Sequence, residues 1–71
     1  MIVNRTRELL LAGRTAFGYE LGLGSPFAAE TLARSGIDFL QIDNQHGDFG
    51  QDSTLAALIA MEGGTATPMA R

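Results

Sequence analysis

From Thr15 to Leu23 the chain alternates with a period of two. Phe17, Tyr19, Leu21 and Leu23 fall on one face, and Ala16, Gly18, Glu20 and Gly22 on the other. That period predicts a strand. Ahead of it, Arg5 to Ala12 predicts a short helix, with Asn4 as N-cap and Gly13 as the C-terminal stop. Gly24, Ser25 and Pro26 then punctuate the chain. Ser25 can cap a helix whose first residue is Pro26, where a missing N–H costs nothing, and Gly36 ends that helix after about Ser35. The apolar run Ile37 to Asp43 predicts a second strand, and Gly47 to Asp52 a loop. Asp52 or Ser53 is expected to cap a further helix through Met61, with Leu55, Leu58 and Ile59 as its apolar stripe. Gly63 and Gly64 stop it. Thr65 to Arg71 predicts a third strand, with Pro68 near its start or on an exposed edge.

The order is a helix followed by β-α-β-α-β. Strands alternating with helices predict parallel pairing through right-handed crossovers. Parallel sheets bury both faces, yet the third strand has no helix after it to cover it. The expected fold class is therefore α/β, with residues 1–71 as the opening segment of a single (β/α)8 TIM-barrel domain. In isolation such a segment is expected to be marginally folded, with open strand edges and uncovered apolar faces.

Composition narrows the function. The chain has 71 residues, a net charge of -3, five arginines and no lysine or cysteine. A domain of this size buries only about 60% of its unfolded surface. Without cysteine it has neither disulfide nor thiolate metal site. Scattered arginines on an acidic chain make no basic stripe for nucleic acid. No lysine is present to form a Schiff base. No apolar run approaches the roughly 20 residues that span a bilayer. The short apolar stretch after Arg5 and Arg7 does not make a secretory leader, so the expectation is a cytoplasmic protein without membrane partners.

The pleat singles out candidate chemistry. In the second strand Phe39, Gln41 and Asp43 share a face. In the third Thr67, Met69 and Arg71 do, and in the first Glu20 lies on the small-residue face. Closing these strands into a barrel directs Glu20, Asp43 and Arg71 inward near the C-terminal rim, where barrel enzymes carry their catalytic groups. His46 follows Asp43 by three residues on the same loop. The plainer readings are a turn-capping Asp43, an ordinary loop histidine, a solvent-facing Arg71 and a structural Glu20. For Glu20 that plainer reading is the stronger. Gly22 and Gly24 satisfy two positions of a dinucleotide fingerprint, but Phe27 occupies the third.

Gly22-Leu23-Gly24-Ser25-Pro26, the stretch Gly36 to Gly47 and the segment Ala66 to Arg71 resemble the HpcH/HpaI aldolases. Asp-x-(Glu or Gln)-His-Gly followed at the next strand end by Pro-x-x-Arg carries the resemblance. It implies a (β/α)8 barrel of about 250 residues, of which this chain is an N-terminal part. It implies a metal-dependent lyase that splits 4-hydroxy-2-oxo acids into pyruvate and an aldehyde, acting as a homo-oligomer on a small-molecule 2-oxo acid. By the same resemblance Asp43 and His46 are the acid–base dyad, and Arg71 contacts the keto oxygen of pyruvate and its enolate. The divalent ion (Mg2+, Mn2+ or Co2+) takes its ligands beyond residue 71, so this segment supplies no metal ligand. Asp43, His46 and Asp48 on one loop do not make a closed site of their own.

The assigned roles fit the chemistry. Retro-aldol cleavage needs a base for the 4-hydroxyl proton, which a histidine beside a carboxylate provides near neutral pH. It also needs a sink for enolate charge, which a Lewis acid and an arginine provide. Two departures stand out. Gln45 occupies a position that is glutamate in many members. Glu20 occupies one where some carry an aromatic residue at the pocket mouth, which makes it a candidate substrate-binding residue. The competing readings are a non-catalytic, self-assembling βαβ module and another pyruvate- or phosphoenolpyruvate-type barrel lyase. The 71-residue chain alone is expected to be inactive.

Overall fold

The structure, a computed structural model, describes residues 4–71. Helix α1 covers Arg5–Leu11, strand β1 Gly18–Leu21, helix α2 Pro26–Ala33, strand β2 Phe39–Ile42, helix α3 Gln51–Ala60 and strand β3 Thr67–Ala70, with a 3-10 turn over Met61–Gly63. The three strands form one parallel sheet in the order β1-β2-β3. This is the expected β-α-β-α-β order, preceded by a helix.

Local chemistry explains the boundaries. The Asn4 side chain accepts the Arg7 N–H at 3.0 Å and starts α1. Ser25 does the same for α2, accepting from Ala28 N–H at 3.2 Å, with Pro26 in the first turn. Gly13 (φ 74°) and Gly36 (φ 96°) end the two helices in the left-handed region, where other residues are strained. Helix α3 starts earlier than expected. Gly50 is its N-cap, and Ser53 lies in the first turn, its hydroxyl accepting the Gly50 N–H at 2.9 Å. Ser53 therefore reaches back to the cap instead of being the cap.

The strands are shorter than the alternation predicts because the ladder, not the pattern, limits them. Thr65 and Ala66 donate their N–H groups to the Ala33 carbonyl at the end of α2, at 3.0 and 3.2 Å, which defers β3 to Thr67. Thr67 at the start of β3 and Arg71 just after its end donate toward the neighbouring strand, to Asp38 O at 2.8 Å and Ile42 O at 3.0 Å. The intervening Pro68 thus turns its missing N–H toward the open edge, the place where proline is tolerated.

The core lies between the sheet and the two crossover helices. Leu40 and Ile42 of β2 are fully buried, together with Ala29 and Ala33 of α2 and Ala57 of α3. Burying each such β2 side chain stabilises the fold by about 1.5–3 kcal/mol. One expectation is corrected here. Leu55 and Ile59 are 60% and 58% exposed, while Thr54, Ala57 and Met61 face inward and Leu58 packs at the margin. Small alanines let α2 and α3 approach each other closely. The bulky Leu55 and Ile59 project to the open side of α3. Pro68 and Ala70 of β3 are likewise exposed, and a groove of about 850 Å³ runs along that edge, bordered by Leu58, Met61 and Pro68.

At the N-terminal ends of the strands α1 closes the sheet. The Thr6 hydroxyl bonds the Asp38 carbonyl and the Thr67 hydroxyl, both at 2.9 Å. Thr6 is buried. Among the described residues no helix is long and apolar enough to cross a membrane.

Candidate active site at the strand ends

The parallel register aligns Glu20 with Gln41 and Gln41 with Met69. One step further along the same face come Asp43, after β2, and Arg71, after β3. The backbone there stays hydrogen-bonded. Asp43 N–H donates to Leu21 O at 3.0 Å, and Asn44 N–H to Arg71 O at 2.9 Å. Arg71 is thus fixed by the ladder on both its N–H and its carbonyl, not left to wave in solvent.

The Arg71 guanidinium lies between two acceptors. Nη1 donates to Glu20 Oε1 at 3.3 Å and Nη2 to Gln45 Oε1 at 3.2 Å. Gln45 thereby acquires a partner that its place in the motif did not announce. The only available signal was an amide acceptor in the loop beside the strand that ends in arginine. A glutamate here would pair with the same guanidinium, so the glutamine keeps the hydrogen bond and gives up the charge.

Asp43 is 7% exposed. Its Oδ1 accepts the backbone N–H groups of His46 at 2.9 Å and Gln45 at 3.0 Å, folding residues 43–46 into a tight turn. The His46 N–H is the main influence holding the Asp43 carboxyl below its usual value. Burial opposes it, while the neighbouring Glu20 carboxyl, the Gln45 N–H and the Arg71 charge add to the lowering. Both hydrogen bonds fall on Oδ1. The Asp43–His46 link is therefore made through the His46 backbone, and the imidazole is exposed, with no hydrogen bond to any described residue.

Gly47 lets this turn pack against β1. A Cβ there would lie 2.5 Å from Asp43 O and 2.7 Å from Gly22 Cα. Behind the turn, the Thr54 hydroxyl contacts Asn44 Oδ1 and the Gly50 carbonyl, joining the rim to the first turn of α3. The sequence pattern gave no notice of this brace. Glu20, Gln45 and Arg71 are thus brought into direct contact, with Asp43 alongside and His46 on the adjoining turn. Among the described residues no three histidine or acidic side chains gather to hold a metal ion.

A parallel βα sheet with Glu20, Gln45 and Arg71 in contact at its C-terminal rim, and Asp43 alongside, defines the class: part of a (β/α)8 barrel. A crystal structure of a variant of the citrate synthase SbnG superposes with a TM-score of 0.79 at 26% identity, over 92% of this chain and 29% of that one. No family model matches the chain. A hydroxypyruvate/pyruvate aldolase of Deinococcus radiodurans is 38% identical over 68 residues, which is 96% of this chain and 24% of that protein. The 4-hydroxy-2-oxo-heptane-1,7-dioate aldolases of Salmonella dublin and Escherichia coli are 35% and 37% identical over the same share of this chain, and 26% of each is covered. The resemblance carried by the motifs is borne out: nearly the whole chain is similar to HpcH-type aldolases. It spans about a quarter of the length of these curated relatives.

Proposed function

We propose that these residues are part of an aldolase, a carbon–carbon lyase that cleaves a 4-hydroxy-2-oxo acid into pyruvate and an aldehyde and runs the reverse addition. The observation that carries this reading is the grouping of Glu20, Asp43, Gln45 and Arg71 at one strand-end rim, with His46 on the turn that Asp43 folds. The relatives named as aldolases support it. Residues 1–71 are then a segment of one barrel domain in a protein that assembles as a homo-oligomer.

In this reading His46 takes the 4-hydroxyl proton as the C3–C4 bond breaks, and returns it in the addition direction. The Asp43 anion fixes the His46 backbone. By holding that turn, Asp43 sets where the imidazole stands. Arg71 donates to the keto oxygen, where negative charge grows as the enolate forms. A divalent ion (Mg2+, Mn2+ or Co2+) belongs to the same proposal and would act as a Lewis acid. The described residues do not by themselves form a cage for it, so its ligands belong to other parts of such a protein.

One relative's name gives the acid that is split, a 4-hydroxy-2-oxo-heptane-1,7-dioate, and the other's gives the oxo-acid fragment, hydroxypyruvate or pyruvate. Both fit the proposed reaction type.

The test is to express the longest reading frame containing these residues and assay pyruvate release from a 4-hydroxy-2-oxo acid with Mg2+ or Mn2+, then with EDTA. Metal-dependent release that collapses in His46→Ala and Arg71→Ala upholds the reading. A protein silent with every metal overturns it and leaves the self-assembling βαβ module as the better account.

A further inference from the structure

We infer that Gln45 is a positioning residue for Arg71: its amide oxygen holds the guanidinium in the plane from which Arg71 meets the keto oxygen, and so ties the arginine to the turn that carries His46. This rests on the aldolase reading and deepens it, by adding a residue that acts through another. Three observations carry it.

The ladder fixes Arg71 only at its backbone, through its N–H to Ile42 O at 3.0 Å and its carbonyl, which accepts Asn44 N–H at 2.9 Å. Beyond Cα the side chain is long, 43% exposed and free to rotate about its stem. The orientation of the guanidinium is therefore set by other side chains. Two supply it, one on each terminal nitrogen: Glu20 on Nη1 and Gln45 on Nη2. Contacts on two nitrogens of a planar fork fix its plane, whereas one contact lets it swing.

The two arms are not equal. Glu20 is divided between Arg71 and the Asp43 carboxyl beside it. Gln45 Oε1 serves Arg71 alone among the described residues. Gln45 is also anchored at its own backbone. Its N–H donates to Asp43 Oδ1 at 3.0 Å, the same oxygen that accepts His46 N–H at 2.9 Å. Residues 45 and 46 thus sit on one turn held by one carboxylate oxygen. The turn places the base, and the Gln45 amide carries that placement across to the arginine at the next strand end. Its acceptor is neutral, so it holds the guanidinium without cancelling the charge that stabilises an enolate.

The experiment uses the complete protein. It reads solvent deuterium entry into the methyl group of pyruvate without any aldehyde, which reports enolate formation alone. Gln45→Met keeps the length and removes the acceptor, whereas Gln45→Glu keeps an acceptor. Gln45→Met is expected to slow deuterium entry by about tenfold, less than loss of the arginine itself because Glu20 still holds one nitrogen. The urea midpoint should not move, since Gln45 is exposed. Gln45→Glu is expected to recover most of the lost rate. With Arg71→Ala already in place, Gln45→Met should have no further effect, because nothing is left for it to position. Three results overturn the role of Gln45 and leave the aldolase reading intact: Gln45→Met as fast as wild type, Gln45→Glu no faster than Gln45→Met, or Gln45→Met costing as much without Arg71 as with it. Absence of deuterium entry in the wild type overturns both.

Discussion

The two ends of the sheet are built from different chemistry. At the N-terminal ends of the strands, uncharged hydroxyls close the structure. Thr6 is buried and tied to the Asp38 carbonyl and the Thr67 hydroxyl, with α1 lying across the opening. At the C-terminal ends the side chains are charged and largely open. Arg71 is shared between Glu20 and Gln45, Asp43 is held as an anion by backbone N–H groups, and the His46 imidazole is unengaged. The same three strands support both ends. In barrels the base carries stability and the rim carries chemistry, and here the contrast is visible in what each end does with its hydrogen-bonding capacity. The base spends it internally, while the rim leaves some of it open.

That contrast breaks down if rim substitutions act through stability or base substitutions act through rate. The largest expected effects are on turnover of the complete protein. His46→Ala and Arg71→Ala should each lower kcat by about 100- to 1000-fold. Urea denaturation should shift by less than about 1 kcal/mol for Arg71→Ala, since its ion pair is exposed. Loss of folding in either variant would erase the distinction. Gly47→Ala is expected to affect both properties, because the new methyl group meets backbone on two sides. The turn must shift, at about 1–3 kcal/mol, and turnover falls with it.

Asp43 sharpens the comparison through pH. Its carboxyl is held below the usual value in the folded chain, so the unfolded chain binds the proton more readily. Its contribution to stability is therefore fully present above the unfolded value of about 3.9, and is lost as the pH falls through the lower folded value. Asp43→Asn should be less stable than wild type at pH 7 in urea titrations, and the gap should close on acidification below pH 4. A gap that persists unchanged would mean that the charge on Asp43 is irrelevant to the turn. At the base, Thr6→Val is expected to cost about 1 kcal/mol with kcat untouched. Smallest of all is the double substitution Leu55→Lys with Ile59→Lys. Both side chains are exposed on the described chain, so each change should stay within about 0.5 kcal/mol in the isolated 71-residue protein.

The rim was largely legible in the sequence. Side-chain alternation assigns Glu20, Asp43 and Arg71 to one face before any coordinates, because the pleat leaves no other choice once the strands are in parallel register. The β-α-β-α-β order was equally legible, since caps and glycine stops are local signals. What the pattern missed depends on partners distant in sequence. Nothing near Thr6 announces a bond to Thr67, and nothing in Gln45 alone announces Arg71. Leu55 and Ile59 show the converse. Apolar spacing marks a face that wants a neighbour, but Ala57 and Thr54, being smaller, are the residues that fit against α2.

The Thr6–Thr67 bond also bears on the order of assembly. Its partners are 61 residues apart, and closing a loop of that length costs about 4 kcal/mol in chain entropy beyond a constant. At a synthesis rate of about 5–20 residues per second, Thr6 waits roughly 3–12 s for its partner to be made. Helix α1 can therefore nucleate early on its own cap, but it cannot dock until β3 exists. Helix α1 leaves the ribosome before the strands it closes yet docks after them, and those strands must find their register before α1 can close the base.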